Sequence, residues 1–556
     1  MALVLLASGA PVWAQLLSVE WFDSHEGASY LARVVEVREC WGDGMPSARW
    51  FPDLAGGRGY PFLSFYAPLS FWIASAVSFV TEITTAWKLV VIGATYAGLA
   101  GAYRLARNGL GPLPSLVAAW FYAYAPYHLR DLWTRGDLAE YTAMGVLPWA
   151  IHSVLRLARG TGPGPVLRAG CWIGALAIMH NVLAFLGAGV LAAVLGVAAA
   201  LPDGPSPRRV LRAGFLAALV ALGASMFFWL PALAERSWVH LERLREGHFE
   251  IARHFVSFGD LFAFTRPARV HVPGRAEAMT FELGTVLLPA LLAPWGWRDR
   301  ETRRVLVLGG VLATAAVLLC LRVSGPVYAA VPLLDFVGFP WRFLSITTLG
   351  MALLAAVGSA QVVERLGARF AATVGFAALA IVPVRDLLGP TAPLPLQPWM
   401  LDAEAYRQAE FTATVADEYV PIWARRDEPL PFREGLAATK PAEFTPVNRT
   451  ATRWRFSVRV EEPADVILRR YYYPGWRATI DGRVVAVKPR EISGYTQLAV
   501  PAGTHSVEVE FRATRLRRAA SVVSLGVGMA AFGGAALVRR RRRSREHGGG
   551  EREETR

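Results

Sequence analysis

The stretch "ALVLLASGAPVWAQLLSVEWFDSHEGASY", residues 2–30, decides the fold class. Residues 2–19 carry no charged side chain, and the ionisable side chains of "EWFDSHE" follow at once. A membrane-spanning helix needs about 20 mostly apolar residues. The stretch is therefore typical of a helix that ends at a membrane surface, where it places carboxylates and a histidine.

Apolar windows of this kind recur along the chain, as far as "AASVVSLGVGMAAFGGAALV" at residues 519–538. The chain has 556 residues, of which 54% are hydrophobic and 18% charged, and its mean hydropathy is +0.32. This composition is too apolar for a water-soluble globule, so we expect a polytopic α-helical membrane protein. The three cysteines are far apart and form no CxxC pair, which argues against a disulfide framework and a thiolate metal site.

The basic surplus of the chain lies between the apolar windows. Lysine and arginine exceed aspartate and glutamate by 14, and the arginine clusters indicate cytoplasmic loops rather than a nucleic-acid partner. Because successive cytoplasmic clusters enclose an even number of crossings, we expect about 12 spans in a bacterial cytoplasmic membrane, with both chain ends inside. The predicted spans lie near residues 2–19, 87–103, 113–127, 141–155, 169–201 (two short helices), 213–233, 283–297, 305–322, 342–361, 370–387 and 519–538.

The N-terminal region allows alternatives. Residues 67–81 and 87–103 are both apolar, but parity allows one crossing, so we expect 87–103 to cross and 67–81 to lie in the outer interface as an in-plane helix. If both crossed, Arg104 would lie outside. Residues 1–14 also resemble a secretory signal peptide without its positive start, and we expect a retained first helix instead.

The predicted domains follow from these spans. Residues 1–387 form a transmembrane domain with a long first outer loop, 20–86. Residues 388–447 are an exofacial connecting region, 448–516 an exofacial domain, 519–538 the last transmembrane helix and 539–556 a basic cytoplasmic tail.

The exofacial domain has the pattern of a small antiparallel β-sandwich. Segments such as "WRFSVRV" and "HSVEVEF" alternate in the period of a strand, and Asp481-Gly482 is a strong hairpin signal. Its aromatic side chains could bind a carbohydrate, or form the domain's core and its contact with the membrane domain. They are Tyr471, Tyr472, Tyr473 and Trp476.

Ionisable side chains collect where predicted spans meet the outer surface, and such side chains are costly there unless they face water, a partner or a site. In the first outer segment, Asp23 is a candidate general base with His25 or Glu26 beside it. Alternatively, Asp23 caps an interfacial helix over residues 24–37, with Glu26 completing a capping box. A metal site formed by the D-x-H-E segment is a third interpretation.

A second outer segment, "HLRDLWTRGDLAEY" at residues 128–141, combines basic and acidic residues. Arg135, and with it Arg130, could bind a phosphate through several guanidinium donors. The alternative is a solvated salt-bridge patch that includes Asp131, Asp137 and Glu140.

Two further outer turns belong at the same depth. His180 and Asn181 stand at the predicted turn of the 169–201 hairpin, and Trp341 and Arg342 lie in "FPWRF" at residues 339–343. These residues would line a shared cavity with Glu140. The alternatives are that His180 only packs in the interior and that Arg342 extends to the interface.

Several of these blocks together resemble bacterial membrane proteins labelled "6-pyruvoyl-tetrahydropterin synthase-related", over about residues 20–350. The blocks are "DSHEGASYLARVVEV", "RWFPDLAGGRGYPFLSFYAPLSFW", "YAYAPYHLRDLWTRGDLAEYTAMGVLPW", "MHNVLAF", "FFWLPAL" and "FPWRFLSI". The tail, through "RYYYPGWRATIDGRVVAV" and "VPAGTHSVEVEF", is similar to the exofacial domain of YfhO-type membrane proteins. The ten histidines include no His-x-His pair, so pterin chemistry is not expected.

The architecture also resembles the GT-C class of membrane glycosyltransferases, and this resemblance implies a function. In that class an acidic residue soon after the first span is the catalytic base or helps to hold a metal, and Asp23 matches its position. Asp23 is followed by Ser24 rather than by a second acid, and either Asp131 or Asp137 could supply the acid of the next outer loop. No cofactor is certain, and a divalent cation, Mg or Mn, stays open.

The resemblance implies inverting transfer of a hexosyl or pentosyl group from a polyprenyl-phosphate donor, a membrane lipid, to an envelope glycan or lipid acceptor. Asp23 would accept the proton of the acceptor hydroxyl, and Arg135 and Arg342 would stabilise the departing phosphate. A non-catalytic transporter or an assembly factor for envelope polymers, on a GT-C-like frame, is the alternative. The outer-rim position of the charges favours the enzyme, since a transporter places its ionisable groups near mid-membrane.

Overall fold

The computed structural model describes residues 2–200, 204–263, 279–367, 369–390, 393–409, 411–412, 414 and 416–550. Residues 551–556 of the predicted cytoplasmic tail lie outside the described residues. The α-helices are α1 (Ala2–Ser18), α2 (Gly27–Gly42), α3 (Leu54–Gly57), α4 (Leu69–Val77), α5 (Ile83–Ala106), α6 (Pro112–Ala123), α7 (Pro126–Arg130), α8 (Leu138–Leu155), α9 (Pro163–Met179), α10 (Asn181–Ala199), α11 (Pro207–Ala234), α12 (Phe258–Leu261), α13 (Leu287–Ala290), α14 (Arg300–Cys320), α15 (Gly325–Ala330), α16 (Leu344–Arg365), α17 (Arg369–Ile381), α18 (Ala403–Gln408) and α19 (Arg515–Gly550).

Within the described part of the chain, six helical segments are long and apolar enough to cross a bilayer, by length and composition. They are α5, α10, α11, α14, the segment Pro340–Arg365 that contains α16, and the segment Arg369–Leu387 that contains α17. The apolar helices α1 and α9 are shorter, and α6, α8 and α19 occupy further predicted spans. The predicted helical membrane class is confirmed, and the count of about 12 crossings stays a prediction.

The predicted in-plane helix is short. It is observed as α4, whose 9 residues rise only about 14 Å, less than half of the roughly 30 Å hydrocarbon core. The adjacent α5 has 24 residues and is long enough to cross. This difference in length favours the single crossing expected for the region.

The segment predicted as one span at residues 283–297 is not a single helix. It consists of a 3-10 turn at Gly284–Val286, the four-residue α13 and a second 3-10 turn at Ala293–Arg298. Pro289 and Pro294 remove backbone donors within it, which interrupts the helical hydrogen-bond pattern. The prediction of a continuous helix there was wrong.

Close helix packing builds the centre of the bundle around α16. A Cβ on Gly350 of α16 would lie 2.8 Å from the carbonyl oxygen of Gly309 in α14, so only glycine permits this approach. Small residues at such crossings bring two backbones into van der Waals contact, which is how membrane helices associate.

The C-terminal domain consists of two antiparallel sheets, as predicted. One sheet has the strand order β3-β6-β10-β9 and the other β4-β5-β11-β7-β8. The strands of the structure are β1 (Trp21–Phe22), β2 (Pro393–Leu394), β3 (Leu436–Ala438), β4 (Ala442–Arg449), β5 (Arg453–Val460), β6 (Ala464–Tyr471), β7 (Trp476–Ile480), β8 (Arg483–Val485), β9 (Lys488–Pro489), β10 (Tyr495–Val500) and β11 (Gly503–Phe511). Asp481 and Gly482 join β7 to β8 with φ of 49° and 79°, as a two-residue type I′ hairpin requires.

The sandwich begins earlier than predicted. Strand β3 and most of β4 lie in the predicted connecting region 388–447, and they pair with β6 and β5. The boundary was missed because β3 is only three residues long and β4 has an irregular register. Residues 403–408 of the same region form α18.

The sandwich docks on the first outer loop. Trp50 of that loop lies 5.7 Å from the ring of Trp476 and 6.0 Å from that of Tyr473. The carboxylate of Asp43, at the end of α2, accepts hydrogen bonds from Thr450 and Thr452. The buried Tyr473 and Trp476 therefore form the core of the domain and its contact with the membrane domain.

The two ends of the helical bundle can be identified by the contacts of residues at the two ends of α5. At one end, the Lys88 ammonium near the start of α5 donates to the carbonyl of Val19, just after α1. At the other end, Asn108 just after α5 contacts His152 and Arg159. The end beside Val19, which carries the outer loop and the sandwich, is the one where the predicted site residues stand.

Candidate functional site

The site is built on an irregular connection between α7 and α8. Residues Asp131–Arg135 form one π-helical turn, and Gly136 ends it in the left-handed region with φ of 67°. Asp137 then caps α8, since its Oδ1 accepts a hydrogen bond of 2.9 Å from the backbone N–H of Glu140. The wide turn brings Asp131, Arg135, Asp137 and Glu140 to one buried point, named here the Arg135 cluster.

Arg135 is the centre of this cluster. Its Nη1 donates to Asp131 and, at 2.8 Å, to Glu140, while its Nη2 donates to Asp137 at 2.7 Å. The guanidinium is buried and stacks 4.9 Å above the ring of Trp341. The predicted salt-bridge patch exists, but it is buried rather than solvated.

Burial and charge set the protonation of the cluster. Although burial alone would lower the pKa of Arg135, the charges of Glu140, Asp131 and Asp137 raise it, so the guanidinium stays charged. Burial, the largest single effect, would raise the pKa of Asp137, but Arg135 and the hydrogen bonds from the Glu140 N–H and Tyr30 together lower it, so Asp137 is ionised. For Asp131 burial dominates and raises the pKa well above its usual value.

Two tyrosine hydroxyls donate further hydrogen bonds to the carboxylates. Tyr30 of α2 donates its hydroxyl proton to Asp137, and Tyr127 of α7 donates to Glu140 at 2.6 Å. Because the Tyr30 proton is used in this way, the hydroxyl of Tyr66, 3.0 Å away, is the donor toward Tyr30. Sequence reasoning missed these tyrosines, although Tyr30 and Arg33 have the i, i+3 spacing of one face of α2.

Arg342 lies at the edge of the cluster. Its Nε is 3.4 Å from Glu140, and its side chain is 15% exposed, whereas that of Glu140 is 1% exposed. The guanidinium also lies 5.0 Å from the ring of Phe339. Arg342 therefore faces the cluster while it keeps access to solvent.

The turn between α9 and α10 contributes His180 to the site, and its Asn181 holds a neighbouring loop by hydrogen bonds. The Nδ1 of His180 accepts a hydrogen bond of 3.2 Å from the N–H of Leu183, so His180 caps α10. Burial lowers the pKa of His180 to about 4. Asn181 accepts from Ala67 N–H at 2.7 Å and donates to the Phe65 carbonyl at 2.6 Å, which fixes the loop before α4.

The segment after α1 is attached to the π-helical turn by its backbone. The N–H groups of His25 and Glu26 donate to the carbonyls of Thr134 and Arg135, at 3.0 and 2.9 Å. The carboxylate of Glu26, 30% exposed, lies 3.9 Å from both Arg135 and Arg33. Burial raises the pKa of Glu26.

Asp23 in this segment is exposed. It does not cap a helix: α2 begins at Gly27, after the predicted start at Ser24, and the hydroxyl of Ser24 accepts from the Gly27 N–H at 3.2 Å. The capping-box interpretation of Asp23 and Glu26 was wrong, because Glu26 makes no side-chain cap bond. Among the described residues, the Asp23 carboxylate has no hydrogen bond or ion pair.

A small cleft lies beside this segment. It is lined by Leu129, Arg130, Trp133, Thr134, Asp386, Leu387 and Gly389. The ring of Trp133 lies 5.1 Å from that of Phe22, and Thr134 accepts from His25, so Asp23 stands between two contacts with the cleft wall. Arg130 is separate from the Arg135 cluster, since it donates to Thr280 at 3.0 Å and lies 3.8 Å from Glu282.

The cluster also contains a set of metal-ligand types. One donor atom each from Asp137, Glu140 and His180 lies within 4.8 Å of the others. The arrangement does not fit a cation, because Arg135 donates to both carboxylates. His180 Nδ1 is occupied by Leu183, so its neutral ring carries a proton on Nε2 and has no lone pair for a metal. Asp23 and His25 of the D-x-H-E segment are exposed and lie outside this set.

The predicted site residues therefore fall into three groups. The first group comes together at the Arg135 cluster, with Glu26 at its edge, and consists of Asp131, Arg135, Asp137, Glu140, His180, Trp341 and Arg342. Asp23, His25 and Arg130 belong to the neighbouring rim and cleft, and Asn181 acts as a clamp.

Comparison with known proteins identifies a family. The sequence model described as "6-pyruvoyl-tetrahydropterin synthase related domain; membrane protein" matches residues 63–388, more than half of the chain. A search of the curated proteins finds no match.

Several solved structures are similar in shape. Arabinofuranosyltransferase AftD from Mycobacteria is 16% identical with a TM-score of 0.47, and the match covers 72% of this chain and 28% of that one. The oligosaccharyltransferase of Archaeoglobus fulgidus is 14% identical with a TM-score of 0.44, covering 77% and 59% of the two chains. ArnT from Cupriavidus metallidurans is 14% identical with a TM-score of 0.38, covering 74% and 75%. At these TM-scores the likenesses assign neither a substrate nor an activity to this chain.

Proposed function

Because this chain belongs to the 6-pyruvoyl-tetrahydropterin synthase-related family of membrane proteins, we propose that it works at a membrane surface, as a glycosyltransferase. It transfers a sugar from a polyprenyl-phosphate donor to an envelope glycan or lipid acceptor. The observation that carries this proposal is the exposed carboxylate of Asp23 beside a cleft that contains Arg130. The sequence resemblance to the GT-C class supports the same interpretation.

The chemistry needs an accessible base and a separate site for negative charge. The Asp23 carboxylate accepts the proton of the acceptor hydroxyl, whose oxygen forms a bond to the anomeric carbon with inversion. The bond from that carbon to the phosphate oxygen breaks, and its electron pair leaves with the polyprenyl phosphate. Asp23 suits this role because, among the described residues, nothing occupies its oxygens.

The arginines differ in their freedom to bind the departing phosphate. Arg135 is directed at three carboxylates of the protein, so it holds the site together. We assign the phosphate to Arg342 first, and then to Arg130, which also contacts Thr280 and Glu282. Arg342 is partly exposed and Arg130 lines the cleft. A guanidinium offers several donors to phosphate oxygens, and it strengthens its hold as charge develops on them.

The test compares Asp23→Asn with Glu20→Gln, which removes another exposed carboxylate of the same segment. Both variants are expressed in a strain that lacks the gene, and the envelope glycans and polyprenyl-phosphate sugars are measured. We expect Glu20→Gln to restore the wild-type glycans, and Asp23→Asn to lower transfer about 100-fold or more at equal protein level.

Full restoration by Asp23→Asn would overturn the assignment of the base. A deletion strain that still forms every glycosidic bond, but fails to export or assemble the polymer, would contradict the enzyme. That result would support the transporter or assembly factor instead.

A further inference from the structure

We propose that the guanidinium of Arg135 takes the place of a divalent cation in this site, so that the site binds no metal. The proposal concerns the charge of the Arg135 cluster. It holds whether or not the chain transfers a glycosyl group.

The donor atoms around Arg135 are those that a hard cation would use. Asp137 and Glu140 offer carboxylate oxygens, and one donor atom of each lies within 4.8 Å of a ring nitrogen of His180, whose own lone pair is already used by the Leu183 N–H. Oxygen-rich sets of this kind suit Mg²⁺ and Mn²⁺. The question is therefore which positive charge the protein places there.

The hydrogen bonds of Arg135 indicate that its guanidinium supplies this positive charge. Arg135 donates to Asp137 at 2.7 Å and to Glu140 at 2.8 Å, and it also donates to Asp131. A planar guanidinium directs separate N–H groups at several carboxylates, whereas a cation at the same point would need Arg135 to move away. Its packing on Trp341 and its burial oppose such a movement.

The remaining lone pairs are also occupied. Tyr30 and the Glu140 N–H donate to Asp137 Oδ1, while Tyr127 donates to Glu140 Oε1. Every oxygen of these two carboxylates thus accepts at least one hydrogen bond from the protein. A cation would have to replace several of them at once, and each displaced buried donor would lose its partner.

Charge balance leads to the same conclusion. Burial raises the pKa of Asp131 and favours its neutral form, so the negative charges of the cluster are those of Asp137 and Glu140, which are met by Arg135 and by Arg342, 3.4 Å from Glu140. A divalent cation added to these groups would leave an excess of buried positive charge, which is costly in a low dielectric.

The experiment measures Mn²⁺ binding to the purified full-length protein by electron paramagnetic resonance. We expect either no bound Mn²⁺ or binding that Asp137→Asn leaves unchanged, since such binding would lie elsewhere. One Mn²⁺ per wild-type chain that is lost in Asp137→Asn would overturn the proposal.

A second arm removes the guanidinium. Arg135→Gln leaves the carboxylates without their cation, so we expect it to gain one Mn²⁺ site with an affinity at least tenfold above that of the wild type. Arg135→Lys keeps a positive charge and should gain none. If Arg135→Gln folds and gains no site, the carboxylates are not a cation set and the proposal fails; if it does not fold, the wild-type and Asp137→Asn arm decides.

Discussion

At the scale of single residues, the same side chain has different roles in different surroundings. Asp23 is exposed and without a partner among the described residues, whereas Asp131 and Asp137 are buried around one arginine. Burial raises the pKa of Asp131, while at Asp137 the charge of Arg135 and the hydrogen bonds from Glu140 and Tyr30 together lower the pKa against the effect of burial. Environment rather than residue type therefore separates the candidate base from the carboxylates that hold the site together.

His180 gives a prediction about pH. Burial lowers its pKa to about 4, below the usual value of about 6.5. Between these values the unfolded chain binds a proton that the folded chain does not, so stability falls as the pH drops from about 6.5 toward 4. The full loss is roughly 3 kcal/mol. We expect His180→Asn, which keeps a capping side chain, to reduce the difference in melting temperature between pH 7.5 and pH 5.0.

The control for this prediction is His240→Asn. The Nδ1 of His240 lies 2.8 Å from Glu242 on a partly exposed loop, so His240 lacks the burial of His180. Its replacement should leave the difference in melting temperature between pH 7.5 and pH 5.0 as it is in the wild type. An unchanged difference in His180→Asn would show that His180 does not titrate as described.

At the scale of elements, the start of α2 and the π-helical turn form one unit. Backbone hydrogen bonds join His25 and Glu26 to that turn, and Gly136 packs against the first residues of α2. A Cβ on Gly136 would lie 2.5 Å from the hydroxyl of Ser24 and 3.0 Å from the N–H of Gly27. The close packing of Gly136 against the start of α2 therefore sets the position of the candidate base relative to the Arg135 cluster.

We predict that Gly136→Ala destabilises the protein and disturbs the site. An alanine in the left-handed region lowers the free energy of unfolding by about 1–2 kcal/mol, and the steric clash with α2 lowers it by about 1–3 kcal/mol more. Gly44→Ala is the matched control, since Gly44 also has a positive φ, 78°, but nothing lies within 4 Å of an added Cβ. Thermal unfolding should show the larger loss for Gly136→Ala, and equal losses would contradict the contact.

At the scale of the whole molecule, the sandwich and the last helix are anchored by a buried ion pair. Arg517, at the start of α19, donates to Glu235 just after α11 at 2.8 and 3.0 Å, and both side chains are 1% exposed. The guanidinium also lies 5.1 Å from the ring of Tyr473 in the sandwich. This pair joins two helices to the sandwich.

We predict that Arg517→Met costs about 3–5 kcal/mol, because it leaves the Glu235 charge buried without its partner. The double variant Glu235→Leu with Arg517→Met should regain most of that loss, since both charges are gone. The matched control is Arg512→Met, which removes an exposed arginine paired with Glu510 and should cost less than about 1 kcal/mol. Equal unfolding temperatures for Arg517→Met and Arg512→Met would contradict the prediction.

Much of the molecule was predictable from local patterns. Runs of apolar residues predicted the helices, because a helix in lipid satisfies its own backbone and needs only length and composition. Period-two alternation and Asp481-Gly482 predicted the sandwich and its hairpin for the same kind of local reason. Strands β3 and β4 were missed because their pairing depends on distant residues, whereas the break at residues 283–297 has a local cause in Pro289 and Pro294, which the apolar composition of the segment obscured.

The sequence by itself determined that acids, arginines and a histidine gather at one end of a helical membrane protein, because span ends fix their depth. Only the tertiary structure decided how they share charge. In that structure Arg135 lies among three carboxylates, Arg130 pairs with Glu282, and Asp23 is exposed. Ion pairing depends on distances of a few ångström between residues far apart in the chain, and no local pattern encodes those distances.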